Sequence, residues 1–301
     1  MILERTIYRG RFAPTPSGPL HLGSMMTALA SFLDARTHAG LWLLRIDDLD
    51  RERCPPGAAA EILRQLETHG LQWDESPRLQ SAHRVSYATA FERLRSQAYA
   101  CDCNRAALRA SGVEGPDGPI YPGTCRDRGL ADGSWRLRLP ATATTLCFDD
   151  AWQGRQCRDL AREVGDFVLR RRDGTFGYQL ACAVDEHEQR ITHVVRGGDL
   201  LGSTFPQQWL QQQLGWAAPR YGHLPVLVDA GGRKLSKQNH ATPVDARAAS
   251  TNLMQCLTLL GQGPPQELAG AGVHDLLEWA TGHWSSPRVP CAARLADPSP
   301  L

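Results

Sequence analysis

Lysine is nearly absent from this 301-residue chain. Of its 33 basic residues only Lys234 and Lys237 are lysines, and they lie three positions apart in Arg233-Lys234-Leu235-Ser236-Lys237-Gln238. Because arginine serves wherever any cation is sufficient, the retained lysines indicate a need for a compact ammonium, whose three donors can follow a phosphate as its geometry changes. The alternative is a surface loop in which two lysines simply remain.

The chain also lacks a large net charge. With 33 basic and 32 acidic residues the formal charge is +1, which excludes a wholly basic nucleic-acid-binding surface and restricts any RNA contact to a local patch. A solvated, arginine-rich surface explains each candidate patch at least as well. The candidates are Arg170-Arg171-Arg172 and the run Arg126, Arg128, Arg136 and Arg138.

Long apolar runs and a paired cysteine pattern are missing as well. No N-terminal apolar region and no long apolar span is visible, so we expect neither secretion nor membrane insertion. The nine cysteines are odd in number and mostly scattered in apolar surroundings, as at Cys147, Cys182 and Cys256. This distribution favours a reducing cytoplasm over a disulfide framework.

The N-terminal segment has the pattern of a strand, a Pro/Gly-rich loop and a helix. Residues 7–12 form the strand pattern, and apolar residues recur at helical spacing from Met25 until Gly40. Between them, at the N-terminus of the predicted helix, backbone N–H groups favour phosphate binding, and Gly18 and Gly23 would let a nucleotide approach. His21 can donate to a phosphate oxygen. A lone histidine here is more often structural, but the distant lysine segment favours the functional interpretation.

Together the two segments resemble the paired nucleotide-binding motifs of class I aminoacyl-tRNA synthetases. His21-Leu22-Gly23-Ser24 matches the "HIGH" motif, and Lys234-Leu235-Ser236-Lys237-Gln238 matches the "KMSKS" motif. The surrounding residues are similar to the glutamate-specific branch over about residues 7–240. Further matches follow in the family's order: Arg45-Ile46-Asp47-Asp48-Leu49-Asp50, Gly70-Leu71-Gln72-Trp73-Asp74, Phe176-Gly177-Tyr178-Gln179-Leu180-Ala181 and Val195-Arg196-Gly197-Gly198-Asp199-Leu200.

Within this branch the chain looks most like short paralogues that place glutamate on queuosine in the anticodon of tRNA(Asp), rather than on a tRNA 3′ end. The features that favour the paralogues are Pro16-Ser17-Gly18, the KLSKQ sequence followed by Asn239-His240, and a cysteine cluster. The resemblance implies ATP, L-glutamate and the queuosine-containing anticodon loop of tRNA(Asp) as partners. A monomer with no membrane partner is expected.

Apolar stretches predict short strands near 41–46, 165–169, 191–196 and 224–228, and helical patterns lie at 57–69, 82–97 and 204–214. This alternation of strands and helices indicates an α/β fold with a parallel sheet. The resemblance implies a Rossmann-like class I catalytic domain with a zinc-binding insertion and a small C-terminal helical region. The expected units are 1–100 and 161–240 for the two halves of the catalytic domain, 101–160 for the insertion, and 241–301 for a helical region without an anticodon-binding domain.

The implied reaction is activation of glutamate to glutamyl-adenylate, which needs charge stabilisation and no protein nucleophile. By resemblance the catalytic residues are His21, Lys234 and Lys237, and magnesium accompanies ATP. ATP contacts are assigned to His21, Gly23, Ser24, Lys234, Leu235, Ser236, Lys237 and Gln238. Glutamate contacts are assigned to Arg11, Phe12, Ala13, Pro14, Thr15, Asp47, Tyr178 and Arg196.

One position departs from the family pattern. Asp47 stands where the family has glutamate, and the loss of one methylene retracts the carboxylate. We therefore expect a water-bridged contact with the substrate ammonium in place of a direct one.

The cysteine cluster comprises Cys101 and Cys103, followed by Cys125. Three thiolates can nearly complete a tetrahedral zinc shell, although a free dithiol with an unrelated third cysteine explains the spacing about as well. The resemblance implies one structural zinc per chain, with the oxygen of Tyr121 as the fourth ligand.

Two other functions fit parts of the sequence. One is a truncated glutamyl-tRNA synthetase that charges a tRNA 3′ end, against which the KLSKQ sequence and the short C-terminal region argue. The other is a non-catalytic, zinc-stabilised RNA- or nucleotide-binding module. The intact His21, Lys234 and Lys237 argue against a module that only binds.

Overall fold

The computed structural model describes residues 7–110, 113–229, 231–235 and 242–297. The helices are α1 (Leu22–Thr37), α2 (Ala58–Thr68), α3 (Arg84–Leu94), α4 (Arg105–Ala110), α5 (Tyr178–Glu188), α6 (Thr204–Gln213), α7 (Ala249–Leu259) and α8 (Val273–His283). The strands are β1 (Arg9–Phe12), β2 (Leu41–Ile46), β3 (Arg78–Leu79), β4 (Ala98–Cys101), β5 (Glu114–Gly115), β6 (Gly118–Pro119), β7 (Ser134–Leu137), β8 (Thr145–Asp150), β9 (Gly154–Asp159), β10 (Val168–Arg170), β11 (His193–Gly197), β12 (Arg220–Leu224), β13 (Val226–Val228) and β14 (Arg294–Ala296). None of the helices in these ranges could cross a membrane, since each is too short or too polar.

Parallel strands form the centre of the fold. β1 pairs with β2 and β2 with β3, while β11 pairs with β12 and β12 with β8, all in parallel. The backbone N–H of Thr192 donates to the carbonyl of Arg9 at 2.9 Å, which joins the start of β11 to the start of β1. The predicted α/β class with a parallel sheet is confirmed. The carboxyl ends of β1, β2 and β11 lie at the edge where such sheets bind ligands.

The first helix is fixed against the sheet by an apolar face and a constrained end. Met25, Met26 and Leu29 are fully buried, as their helical spacing predicts. After Thr37, a Cβ on Gly40 would lie 2.6 Å from Cβ of Tyr8, so only glycine fits where the chain turns into β2. Helices α7 and α8 share one apolar core with α1.

The stretch between α3 and α5 contains two different structures. β4, β7 and β10 form a separate antiparallel sheet, whereas the β8–β9 hairpin extends the parallel sheet at β12. Part of the predicted insertion, residues 101–160, therefore adds strands to the parallel sheet. The unit boundaries given above remain a prediction.

Two features differ from the sequence-based expectations. Cys147 and Cys157 lie opposite each other in the β8–β9 hairpin, with their Cα atoms 4.2 Å apart, and form a disulfide. The expectation of cysteines without disulfides is therefore wrong for this pair, while the other seven are free. The prolines Pro287, Pro290, Pro298 and Pro300 predict a loosely ordered end. In the structure, however, Arg294–Ala296 form β14, whose backbone pairs in parallel with β13.

Candidate active site

A cavity of about 570 Å³ lies at the carboxyl edge of the parallel sheet. Residues from the ends of β1, β2 and β11 and from the N-termini of α1 and α5 contribute to its wall. The predicted site residues that the structure brings together here are Arg11, Phe12, Ala13, Pro14, Thr15, His21, Gly23, Ser24, Asp47, Tyr178, Arg196, Lys234 and Leu235. Ser236, Lys237 and Gln238 lie outside the described residues.

His21 occupies the N-cap of α1. Its Nδ1 accepts a hydrogen bond from the backbone N–H of Ser24 at 3.3 Å, so the proton of the neutral ring lies on Nε2. A Cβ on Gly23 would lie 3.2 Å from the imidazole, which shows how closely the ring packs on the first turn. The helix N-terminus and the Nε2–H group together provide donors for a phosphate.

Lys234 also lines the cavity. Its ammonium is 2.5 Å from Oδ2 of Asp199, in the segment that follows β11, and both side chains are partly exposed. An exposed ion pair of this kind contributes little to stability. Asp199 therefore orients the lysine at the cavity while its side chain stays accessible from solvent.

Four arginines line the cavity, and the guanidinium groups of three of them, Arg11, Arg45 and Arg196, are buried. Arg11 pairs with Glu186 at 3.2 Å, and Arg45 pairs with Asp47 at 2.7 Å. Arg196 instead donates to three uncharged acceptors: His223, Gln207 and Thr204, at 3.0, 2.9 and 2.8 Å. Within the described ranges no carboxylate forms an ion pair with Arg196, so its charge is available to a ligand carboxylate.

The carboxylate of Asp47 is hydrogen-bonded to the guanidinium of Arg45. Nε and Nη2 of Arg45 donate to Oδ1 and Oδ2 of Asp47 at 2.7 and 3.3 Å, and Asp47 is only 7% exposed. Burial raises the pKa of the Asp47 carboxyl, and the Arg45 charge opposes that increase. This two-point contact fixes the direction of the retracted carboxylate.

The cysteine cluster forms in space as the sequence indicates. The sulfur atoms of Cys101, Cys103 and Cys125 lie within 4.8 Å of one another. The phenol oxygen of Tyr121 lies 3.3 Å from Sγ of Cys101 and 3.7 Å from Sγ of Cys103. Ligand atoms around tetrahedral zinc lie roughly 3.5–3.8 Å apart, given zinc–ligand bonds of about 2.0–2.3 Å, so the four groups fit a zinc ion.

Three of the seven candidate RNA-binding arginines contact groups inside the protein. Arg126 pairs with Asp166 at 2.5 Å, and Arg136 donates from Nε to Sγ of Cys101 at 3.3 Å. The guanidinium of Arg170 lies 5.9 Å from the ring centre of Phe176. The internal contacts favour a structural role for these residues.

Sequence reasoning missed two groups that touch the cavity arginines. His223 on β12 accepts from Arg196, and Glu186 on α5 pairs with Arg11. Glu186 lies within a buried helical stretch and His223 within a buried strand, and neither belongs to a motif. No local signal in the sequence distinguishes them from ordinary core residues.

Comparison with known proteins gives a consistent result. Residues 8–266 match the family described as tRNA synthetases class I (E and Q), catalytic domain. The chain is 49% identical over 296 residues to a glutamyl-Q tRNA(Asp) synthetase of Thiobacillus denitrificans, covering 97% of this chain and 98% of that protein. It is 50% identical to the protein of the same name from Methylococcus capsulatus, covering 96% and 95%. The crystal structure of a glutamate-tRNA synthetase from Elizabethkingia anophelis is similar, with a TM-score of 0.79, 27% identity, and 96% of this chain and 68% of that chain covered.

Proposed function

Because the chain belongs to the family of class I tRNA synthetases for glutamate and glutamine, we propose that it activates glutamate with ATP and transfers it to queuosine in the anticodon of tRNA(Asp). The relatives named glutamyl-Q tRNA(Asp) synthetase support the choice of acceptor. The observation that carries the proposal is Arg196, a buried cation whose partners among the described residues are all neutral, in the same cavity as His21 and Lys234. One cavity thus combines a carboxylate site with a phosphate site.

In the first step an oxygen of the glutamate α-carboxylate attacks the α-phosphorus of ATP, and the bond to pyrophosphate breaks. The protein stabilises the charge that develops on the phosphate oxygens, with Nε2–H of His21 and the ammonium of Lys234 as donors. Lys237 adds a second ammonium in the same segment. Magnesium, bound with ATP, neutralises part of the phosphate charge.

Glutamate is selected through Arg196. Three of the five N–H groups of a guanidinium bind His223, Gln207 and Thr204, so two remain for the side-chain carboxylate of glutamate. Glutamine offers one carbonyl oxygen and no charge, so it cannot form the same bidentate ion pair. Asp47, fixed by Arg45, binds the substrate ammonium through water.

Zinc has a structural role in this proposal. Cys101, Cys103, Cys125 and Tyr121 would hold one ion per chain, and four protein ligands would leave no position for substrate. Nη1 of Arg128 lies 3.5 Å from Sγ of Cys125 and adds a positive charge beside the thiolates. Zinc held by these residues would fix the loop between β4 and β7.

In the second step a hydroxyl of the queuosine cyclopentene ring attacks the glutamyl carbonyl, AMP leaves, and the hydroxyl proton is released. Anticodon loops present unpaired bases that can enter a cavity. Arg53 lines the cavity. Asp50 pairs with Arg53 at 2.9 Å and with Arg171 at 3.4 Å. These exposed arginines support a site for the loop phosphates. ATP and tRNA as substrates fit a cytoplasmic location.

The direct test is ATP–pyrophosphate exchange with purified protein and no tRNA. We expect exchange with glutamate and not with glutamine, because the chain alone already brings Arg196, His21 and Lys234 together. Exchange only after addition of tRNA would instead support an ordinary glutamyl-tRNA synthetase. Equal exchange with glutamine would contradict the role of Arg196.

A further inference from the structure

We propose that Asp150 and His223 are positioning residues for Arg196, and that they keep its charge available for the side-chain carboxylate of glutamate. The inference rests on the proposed function, since it concerns how that substrate is selected. It assigns a role to two buried polar residues outside the sequence motifs.

The three side chains form a continuous hydrogen-bonded chain. Oδ2 of Asp150 lies 2.5 Å from Nδ1 of His223, and Nε2 of His223 lies 3.0 Å from Nε of Arg196. The side chains of Asp150 and His223 are inaccessible to solvent. In the strand register, Arg196 on β11 lies directly opposite His223 on β12. The hydrogen-bonded series Asp150–His223–Arg196 therefore crosses the sheet from β8 through β12 to β11.

The partners determine the protonation state of His223. A guanidinium can only donate, so Nε2 of His223 must carry the lone pair, and the proton must lie on Nδ1, where Asp150 accepts it. Burial, and then the charge of Arg196, lowers the pKa of His223, although Asp150 opposes this effect. The imidazole is therefore neutral at pH 7.

Asp150 is in turn held ionised by its surroundings. Oδ1 of Asp150 accepts the backbone N–H groups of Trp152, Gln153 and His223 at 3.0–3.1 Å. These contacts and His223 lower the pKa of Asp150 against the opposing effect of burial. Because an ionised carboxylate can only accept a hydrogen bond, it cannot pair with a His223 tautomer whose Nδ1 lacks a proton.

The hydrogen bonds from Asp150 through His223 to Arg196 explain why the charge of Arg196 is less neutralised than that of Arg11. Arg11 contacts a carboxylate directly, at Glu186, so part of its charge is already neutralised. At Arg196 the imidazole separates the guanidinium from Asp150, and the other two nitrogens bind the uncharged Gln207 and Thr204. The guanidinium is thus held through all three nitrogens while its charge remains for the ligand.

A matched pair of substitutions tests the hydrogen bonds of the two imidazole nitrogens separately. In His223→Gln the amide oxygen can reach the position of Nε2 and accept from Arg196, whereas in His223→Asn the amide nitrogen can reach the position of Nδ1 and donate to Asp150. We expect His223→Asn to raise KM for glutamate roughly tenfold or more, the usual effect of losing a hydrogen bond to a charged group. His223→Gln should stay within about threefold, and KM for ATP should not change in either variant. A rise that is equal in both variants, or absent from both, would overturn the proposal.

A measurement on the unmodified protein does not depend on whether the variants fold. At pH 7 the ¹⁵N spectrum of His223 should show a protonated Nδ1 and an unprotonated Nε2, and the opposite tautomer or a doubly protonated ring would refute the assignment. If the wild type does not activate glutamate, the proposed function fails while the tautomer can still be observed. If the wild type is active and the two variants behave alike, only this inference fails.

Discussion

At the scale of single residues, the hydrogen-bond partners of each charged side chain in the cavity determine whether its charge is available to a ligand. Arg11 and Arg45 lie in the same cavity wall as Arg196, but each has a buried carboxylate partner. A buried guanidinium without a carboxylate partner is unfavourable unless a ligand supplies the charge. The cavity is therefore suited to an anionic side chain, which supports the proposed role of Arg196 in the selection of glutamate.

The phosphate-binding residues provide a direct test at this scale. We expect His21→Ala and Lys237→Ala each to reduce kcat for glutamate-dependent pyrophosphate exchange by about 100-fold, the usual effect of removing one donor to the transition-state charge. Arg233→Ala is the matched control, since Arg233 lies in the same segment but its side chain is 80% exposed and pairs with Asp229. Steady-state kinetics of the three variants measure the effect. Wild-type rates in both alanine variants would contradict the assignment.

How far the sequence predicts the site depends on the kind of residue. His21 and Lys234 stand in short motifs, so local sequence identified them, and the structure places both at the cavity. Asp150 and His223 are 73 positions apart, and only the pairing of β8 with β12 brings them together. A local sequence pattern cannot predict this contact between distant residues.

At the scale of elements, apolar periodicity predicted the structure well where one face is buried. The pattern at 41–46 matches β2, and the pattern at 57–69 matches α2 to within a residue at each end. β12 was not predicted because Arg220-Tyr221-Gly222-His223-Leu224 includes a glycine and two polar residues. Its burial depends on neighbouring strands, which a local pattern does not show.

The loop between β4 and β7, with its proposed zinc ligands, provides a test at the scale of one element. Only a small group of buried residues, including Tyr99, Tyr121 and Cys125, forms the core around the cluster. A metal ion would supply much of the missing stability there. We expect Cys125→Ala to lose the one zinc per chain in elemental analysis and to melt at a lower temperature. The exposed Cys291→Ala is the control and should keep both. Undiminished zinc in Cys125→Ala would exclude the predicted ligand set.

A histidine between α2 and α7 provides a pH-dependent test. Nδ1 of His69 donates to the carbonyl of Gln65 at 2.7 Å, and Nε2 accepts from Nδ2 of Asn252 at 3.0 Å. Burial lowers the pKa of His69, so the unfolded state binds the proton more readily. The contribution to stability is therefore present above the unfolded pKa of about 6.5 and decreases as the pH falls below it.

Thermal unfolding between pH 7 and pH 5.5 measures this contribution. We expect Tm to fall less steeply with decreasing pH in His69→Gln than in the wild type, because the glutamine does not titrate. His274→Gln, at an exposed position of α8, is the control and should keep the wild-type slope. An unchanged slope in His69→Gln would show that His69 does not titrate on unfolding.

At the scale of the whole molecule, the arginines divide into internal and external groups. Arg126 and Arg136 form contacts within the protein, while Arg53 and Arg171 near the cavity, and likewise Arg128 and Arg138, keep 40% or more of their side chains exposed. With a net charge of +1, the protein as a whole exerts no strong general attraction on nucleic acid. RNA binding should therefore depend on a local fit at the cavity mouth.

The acceptor is the central claim, and one labelling experiment tests it most directly. Labelled glutamate and ATP are offered with two RNAs: a queuosine-containing anticodon stem-loop of tRNA(Asp), and an acceptor-stem minihelix ending in CCA. We expect label on the stem-loop and none on the minihelix, because the cavity receives an unpaired loop base that presents the cyclopentene hydroxyls. Robust labelling of the minihelix, or equal labelling of a stem-loop with guanosine in place of queuosine, would contradict the account.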